Sequence, residues 1–207
     1  MATWKSAAYD GRYLQLDISE SVNVVGNSST LSWTLTSTGG ASTYYTIDTT
    51  TVTINGTTVY SKDRTYWDDR DFPAKKGSVS GTITVAHNSN GSKTIAVGFS
   101  TRVYIYGSQE YGGSMTLTTI DRSAPTVTFS TSNVTANGFK ISATSSATAD
   151  IWQYSTNGGS SWTQFSTTAS TSTSVTLSSL SPNTSYTVRV RARRQYNHVY
   201  GTSGSST

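Results

Sequence analysis

Leu180-Ser181-Pro182-Asn183-Thr184-Ser185-Tyr186-Thr187-Val188-Arg189-Val190-Arg191-Ala192-Arg193-Arg194 is the stretch that decides how this chain folds. From Tyr186 onward apolar and polar residues alternate. Val188, Val190 and Ala192 take one parity, and Arg189, Arg191 and Arg193 take the other. A period of two means extended strand, because side chains at i, i+2 and i+4 point to the same side. The apolar parity, with Leu180, faces a core. The other parity sets three guanidinium groups in a stripe, which Arg194 extends.

The same period runs outward from this stretch. Strands are expected near 126–130, 138–144, 150–155, 161–165, 173–177, 185–193 and 199–203. That many short strands in one small segment point to an immunoglobulin-like sandwich. The last of them, Tyr200-Gly201-Thr202-Ser203-Gly204-Ser205-Ser206-Thr207, is weak strand sequence. It is expected to be frayed or completed by a neighbour.

The spacing of Leu180, Pro182, Thr184, Tyr186, Val188, Val190 and Ala192 resembles that of a fibronectin type III module. The resemblance implies that the Tyr186 hydroxyl bonds to upstream backbone at the corner between two strands. Two departures from the family stand out. Phe139 or Ile141 occupies the early second-strand region where tryptophan is usual, and Trp152 sits in the third strand instead. Such modules serve as spacers, adhesins and docking units alike, so the resemblance speaks to fold more than to function.

Composition and alternation both break near Asp121-Arg122-Ser123-Ala124-Pro125. Pro125 fixes its own φ and restricts Ala124, as a short stiff joint requires. The chain therefore reads as all-β, with two β-sandwich domains at residues 1–121 and 122–207. In the first, jelly-roll-like or sandwich, strands are expected near 12–18, 22–25, 30–36, 43–54, 57–60, 79–85, 93–106 and 114–120. Asn55-Gly56 is a hairpin signal, since both turn positions of a type I′ turn need positive φ. Asn88-Ser89-Asn90-Gly91 is read as a second hairpin. Trp4 precedes the first expected strand and is placed over an open end of the sandwich. Residues 81–95, with 27–35 and 52–56, resemble a β-domain of tail and minor structural proteins of long-tailed phages of Gram-positive bacteria. That resemblance spans most of residues 10–120 and implies a virion component without catalytic residues.

The chain contains 36 Ser and 38 Thr among 207 residues, and only 13% of it is charged. It folds nonetheless, because 13 Tyr, 5 Trp and 5 Phe supply the surface to bury. With no cysteine, neither a disulfide nor a thiolate site exists. No apolar run approaches membrane-spanning length. The first residues, Met1-Ala2-Thr3-Trp4-Lys5-Ser6, lack an apolar signal core, so synthesis in a host cytoplasm is expected. Charge is uneven. Residues 1–121 hold nine Lys/Arg against ten Asp/Glu, while residues 122–207 hold six against one. A basic second half attracts anionic polymers. Nucleic acid is disfavoured as the partner, because no interleaved aromatics accompany the arginines.

Catalytic signals are weak. The two histidines, His87 and His198, fall at expected loops or strand ends and read as surface polar residues. No nucleophile elbow frames any of the many serines. Gly91-Ser92-Lys93-Thr94 lacks the upstream glycine and the following helix of a phosphate loop. The segment Ser61–Pro73 departs most from the background, with Asp63, Asp68, Asp69 and Asp71 beside Tyr66 and Trp67. Three readings stay open: a sugar or partner contact, a calcium loop of non-EF-hand spacing, and an Asp/Arg-paired loop with Trp67 tucked inside. Arg102, Tyr104 and Tyr106 share a strand parity and read as an exposed interface platform. Taken together, the expectation is a non-enzymatic bacteriophage virion protein without cofactor. It would decorate the tail or capsid in symmetric copies and contact host surface glycans. The alternative is a carbohydrate-binding module of a bacterial surface protein or lytic enzyme.

Overall fold

Alternation becomes strand along the whole chain. The computed structural model describes residues 1–8, 13–38, 46–66, 78–103 and 107–206, with backbone alone at 38, 46–48, 63–66, 102–103 and 107–108. Among these residues every regular element is a strand. The chain divides into two compact units, Met1–Asp121 and Arg122–Thr207.

The first unit contains β1 (Ala2–Lys5), β2 (Tyr13–Asn23), β3 (Ser28–Thr38), β4 (Thr46–Ile54), β5 (Thr57–Tyr66), β6 (Ser78–Ala86), β7 (Thr94–Val103) and β8 (Gly107–Thr116). They form two antiparallel sheets, ordered β1-β2-β3-β6 and β5-β4-β7-β8. Leu14, Leu16 and Ile18 of β2 and Leu31, Trp33 and Leu35 of β3 meet Val52, Ile54, Val97 and Phe99 of the other sheet in one core. Asn55 and Gly56 adopt φ of 51° and 76° and close the β4–β5 hairpin, as the dipeptide demands.

Several expectations for this unit are corrected. Asn88–Gly91 is not a hairpin turn, because β6 pairs with β3 while β7 pairs with β4 and β8. The loop carries the chain from one sheet to the other. Trp4 lies inside β1, opposite Leu16 of β2, and packs on the core. Residues 22–25 are not a separate strand: β2 runs on to Asn23 and the turn follows. The eighth strand is Gly107–Thr116, earlier than expected. Within it, Gly112 faces Gly98 of β7 across the ladder. A Cβ on Gly112 would lie 2.2 Å from the Val97 carbonyl oxygen, so only glycine permits that approach.

The second unit contains β9 (Val127–Thr135), β10 (Gly138–Ser155), β11 (Thr163–Ser166), β12 (Ser170–Leu177), β13 (Arg189–Arg194) and β14 (Tyr200–Thr202). The two expected strands at 138–144 and 150–155 are one strand, β10. Its first part pairs with β9 and β12, its second part with β11 and β13. The register shifts between Thr144 and Ala149, where Ser145 and Ser146 satisfy the backbone of the bend. The Ser145 hydroxyl donates to the Ala147 carbonyl, and the Thr126 N–H donates to Ser146 Oγ. Ile141, Ala149, Trp152, Val190 and Ala192 are fully or almost fully buried in this unit's core.

The Tyr186 hydroxyl accepts the Ser181 backbone N–H at 2.9 Å, the corner bond that the resemblance implied. The last segment is neither frayed nor left for a neighbour. β14 pairs with β13, Ser203 Oγ accepts the Val190 N–H at 3.0 Å, and Ser206 bridges Val188. Removing the corner bond tests its worth. Tyr186→Phe is expected to cost about 1 kcal/mol of unfolding free energy, the usual net value of one such bond. Equilibrium denaturation of the whole chain measures it, and an unchanged midpoint shows that the bond is energetically idle.

Candidate functional site

The arginine stripe sits on the outward face of β13. Alternation along β13 buries Val190 and Ala192 and leaves Arg189, Arg191 and Arg193 half-buried on the other side. Arg194 falls on the inward parity and is buried, so it does not extend the stripe as the sequence suggested. Antiparallel pairing sets Gln153 of β10 and Thr202 of β14 opposite Arg191, and Gln164 of β11 opposite Gln153. Directly opposed residues share a face. One rung of the sheet therefore reads Gln164, Gln153, Arg191, Thr202.

Arg191 is the centre of this face. Its guanidinium carbon lies 4.3 Å from the Trp162 ring centroid and 4.6 Å from the Tyr200 centroid. Its Nε–H donates to Gln153 Oε1 at 2.6 Å. Both contacts are within cation–π range. Aromatics thus accompany the arginines after all, contrary to the sequence reading. They come from the β11 approach and from β14, which only tertiary pairing brings to β13. Arg189 lies over the Gly158-Gly159 turn. A Cβ on Gly159 would lie 3.4 Å from Trp162 and 3.6 Å from Arg189 Cδ, and the φ of 99° there favours glycine in its own right.

Arg193 is held differently. Its Nε and Nη2 donate to the two oxygens of Asp150 at 3.0 and 2.7 Å, a two-pronged charge-assisted pair. His198 Nδ1 stands 3.7 Å from the same carboxylate. Hydrogen bonding from Arg193 holds the Asp150 carboxyl below its ordinary value of 3.8. Asp150 is the single acidic residue of 122–207. Its isolation was a usable signal for this pairing, since one carboxylate among six cations has to find one of them.

The first unit holds a second polar constellation, built on buried side chains. Ser29 is fully buried, and His87 is buried as well, not a surface residue. Ser29 Oγ lies 2.8 Å from His87 Nε2 and 2.6 Å from Glu20 Oε1, and His87 Nδ1 lies 2.8 Å from the Gly91 carbonyl. A carbonyl and a carboxylate only accept. Nδ1 therefore donates to Gly91 and Ser29 donates to Glu20, while the role of Nε2 toward Ser29 follows the protonation of the ring. Ser29 is fully buried, so its hydroxyl is not presented at the surface. This chain ties β2, β3 and the inter-sheet loop together. Burial alone raises the Glu20 carboxyl, yet hydrogen bonds from Ser29 and from the Thr118 N–H and hydroxyl bring it below 4.5.

Of the other site residues read from sequence, Trp67, Asp68, Asp69, Tyr104 and Tyr106 lie outside the described residues. Tyr66 closes β5 opposite Thr46, and Arg102 lies in β7 opposite Thr49. Their side chains are outside the description, as is that of Asp63 together with Asp71 of the calcium reading. Among the described residues no group of three or more His, Asp or Glu is placed to hold a metal. A groove of about 460 Å³ beside Val134, Phe139, Leu180 and Tyr186 has no charged lining.

Both depressed carboxyls make stability acid-sensitive. A carboxyl whose folded value lies below its unfolded one contributes fully above the unfolded value. The contribution is lost as pH falls through the folded value. The unfolding midpoint of the chain is expected to drop as pH is lowered through the acidic range. Glu20→Gln and Asp150→Asn should each flatten that drop in pH-dependent thermal melts, and an unaltered acid limb removes the assignment.

No curated protein matches the sequence. Among solved structures the crystal structure of red sea bream transglutaminase aligns with a TM-score of 0.36 at 12% identity, over 91% of this chain. The chain spans only 30% of that neighbour's length. The family model of the fibronectin type III domain matches residues 113–203. Its first residues fall in the first unit, where Leu117 packs in the core and the Ile120 N–H donates to the Gly91 carbonyl. The C-terminal part of the chain carries a fibronectin type III domain.

Proposed function

We propose that this chain is a non-enzymatic display protein of a bacteriophage virion, carried in symmetric copies on the tail or capsid, where it contacts glycans of the host surface. The observation that carries the display reading is where the ordered polar chemistry lies. An arginine in contact with two aromatic rings, Arg191 with Trp162 and Tyr200, lies on a sheet face of the fibronectin type III domain. Such a face suits an extended polymer or a neighbouring protein, and strand-only units hold it rigidly. Repetition on a particle then multiplies weak single contacts. The phage assignment rests on the likeness of residues 10–120 to tail proteins. Tyr66, Trp67, Asp68 and Asp69, with Arg102, Tyr104 and Tyr106, are a further proposed contact.

Particles purified by density gradient from the source culture are expected to contain the chain in fixed stoichiometry, seen by immunolabelling and mass spectrometry. Recovery only as free protein overturns the virion reading. It leaves a glycan-binding module of a bacterial surface or lytic protein in its place. Replacing both Tyr66 and Trp67 by Ala is expected to preserve folding and to weaken particle adsorption to cells. Normal adsorption removes that loop from the contact surface.

A further inference from the structure

We infer that the outward face of β13 is a binding site for an acidic glycan, with Arg189 and Arg191 as its oxyanion contacts. This deepens the display reading by naming the ligand chemistry, and it stands on the purified chain alone.

The charge distribution comes first. Residues 122–207 hold six Lys or Arg and only Asp150 as an acid. Asp150 is occupied by Arg193. No other Asp or Glu remains in this unit to neutralise Arg189 or Arg191. Four arginines read as one stripe therefore separate into three roles: Arg194 is buried, Arg193 is paired, and Arg189 and Arg191 carry uncompensated charge.

Geometry then restricts the ligand. The Trp162 and Tyr200 rings both pack on the Arg191 guanidinium, and Gln153 takes its Nε–H. What is left is the edge formed by the two terminal nitrogens, which donate to no described residue. A guanidinium edge fits a carboxylate or phosphate in its plane, through two parallel N–H···O bonds. Stacking has already immobilised the side chain, so little rotamer freedom is lost on binding. Arg189 stands two residues along the same strand, about 6–7 Å away. The two cations thus match a polymer with regularly spaced anionic groups, not one small anion.

Beside the cations lie the Gln164 and Gln153 amides and the Thr202 hydroxyl, in the same rung as Arg191. Amides and a hydroxyl both donate and accept, which suits the hydroxyls of a sugar or polyol. The Trp162 and Tyr200 faces turned toward Arg191 are taken, so they offer no platform there for nucleobases. The combination favours an acidic glycan over single-stranded nucleic acid.

The test is isothermal titration of the intact chain with polygalacturonate, which presents carboxylates, and with poly(glycerol phosphate), which presents phosphodiesters. An oligothymidylate serves as the nucleic-acid arm. Binding to either glycan-type polymer is expected, and the stronger one identifies the oxyanion. For two contacts the slope of log K against log salt should be about −1.4 on a flexible chain. Arg189→Ala and Arg191→Ala should each weaken binding about tenfold and make the slope shallower by about 0.7. Arg191→Lys should weaken it while keeping the slope, because charge remains and the planar edge is lost. It carries the test, with Arg189→Ala, if Arg191→Ala does not fold. Asp150→Asn releases Arg193 and should strengthen binding and steepen the slope. The inference is overturned by no binding to either polymer, by affinities indifferent to Arg189 and Arg191, or by tighter binding of the oligothymidylate.

Discussion

The register between β10 and β13 is the constraint on which the C-terminal unit depends. Ala149 faces Arg194, Ile151 faces Arg193 and Gln153 faces Arg191 along this ladder. Slipping it by one residue would invert every side chain, exposing Val190 and Ala192 and burying guanidinium groups. The same pairing leaves Trp152 in the core, puts Gln153 within hydrogen-bond reach of Arg191, and lets the neighbouring Asp150 clasp Arg193. Core and binding face are two sides of one register, and neither can change alone. Because β10 continues into the ladder with β9 and β12, the same strand also ties the two halves of the domain together.

The first unit meets a different problem with similar means. Few of its residues are large and apolar, so each one has to be placed well. Gly81 lies opposite Trp33, and a Cβ there would come within 2.8 Å of the indole. The bulk of one strand is accommodated by the absence of a side chain on the next. Of the polar groups brought inside, Thr50 Oγ1 and Thr101 Oγ1 have no hydrogen-bond partner among the described residues, while Glu20, Ser29, His87 and Gly91 are joined in one chain. With serine in the middle, it is a tie between strands and a loop.

The arginines show how local charge and available charge differ. Counting residues makes the second half strongly basic, but a buried cation and a paired cation offer little to a ligand. What remains is a smaller, better oriented site than a stripe of four. The aromatic rings contribute by holding Arg191 flat, not by meeting the ligand. An affinity built this way follows ionic strength at close range and requires no deep pocket.

Period-two alternation, read residue by residue, was enough to read an all-β chain, the Asn55-Gly56 dipeptide marked its hairpin, and the resemblance to a fibronectin type III module implied the tyrosine corner at Tyr186. Each of these depends on local geometry: the alternation of side chains, the φ values a dipeptide accepts, and a bond between residues five apart. It was also enough to place Arg189, Arg191 and Arg193 on one face. Tertiary structure decided the rest. Whether Asn88–Gly91 turns back or crosses between sheets depends on which strands β6 and β7 choose as partners, and those partners are far away in sequence. Whether Gly98 and Gly112 break a strand or permit close approach depends on their being opposite each other. Trp162, Tyr200 and Asp150 reach the arginines through three separate strand connections, and no spacing in the chain records that meeting. The physical reason is the same in each case. Strand formation is local, but strand pairing is long-range, and both the polar contacts and the free charge of a sheet face are set by the pairing.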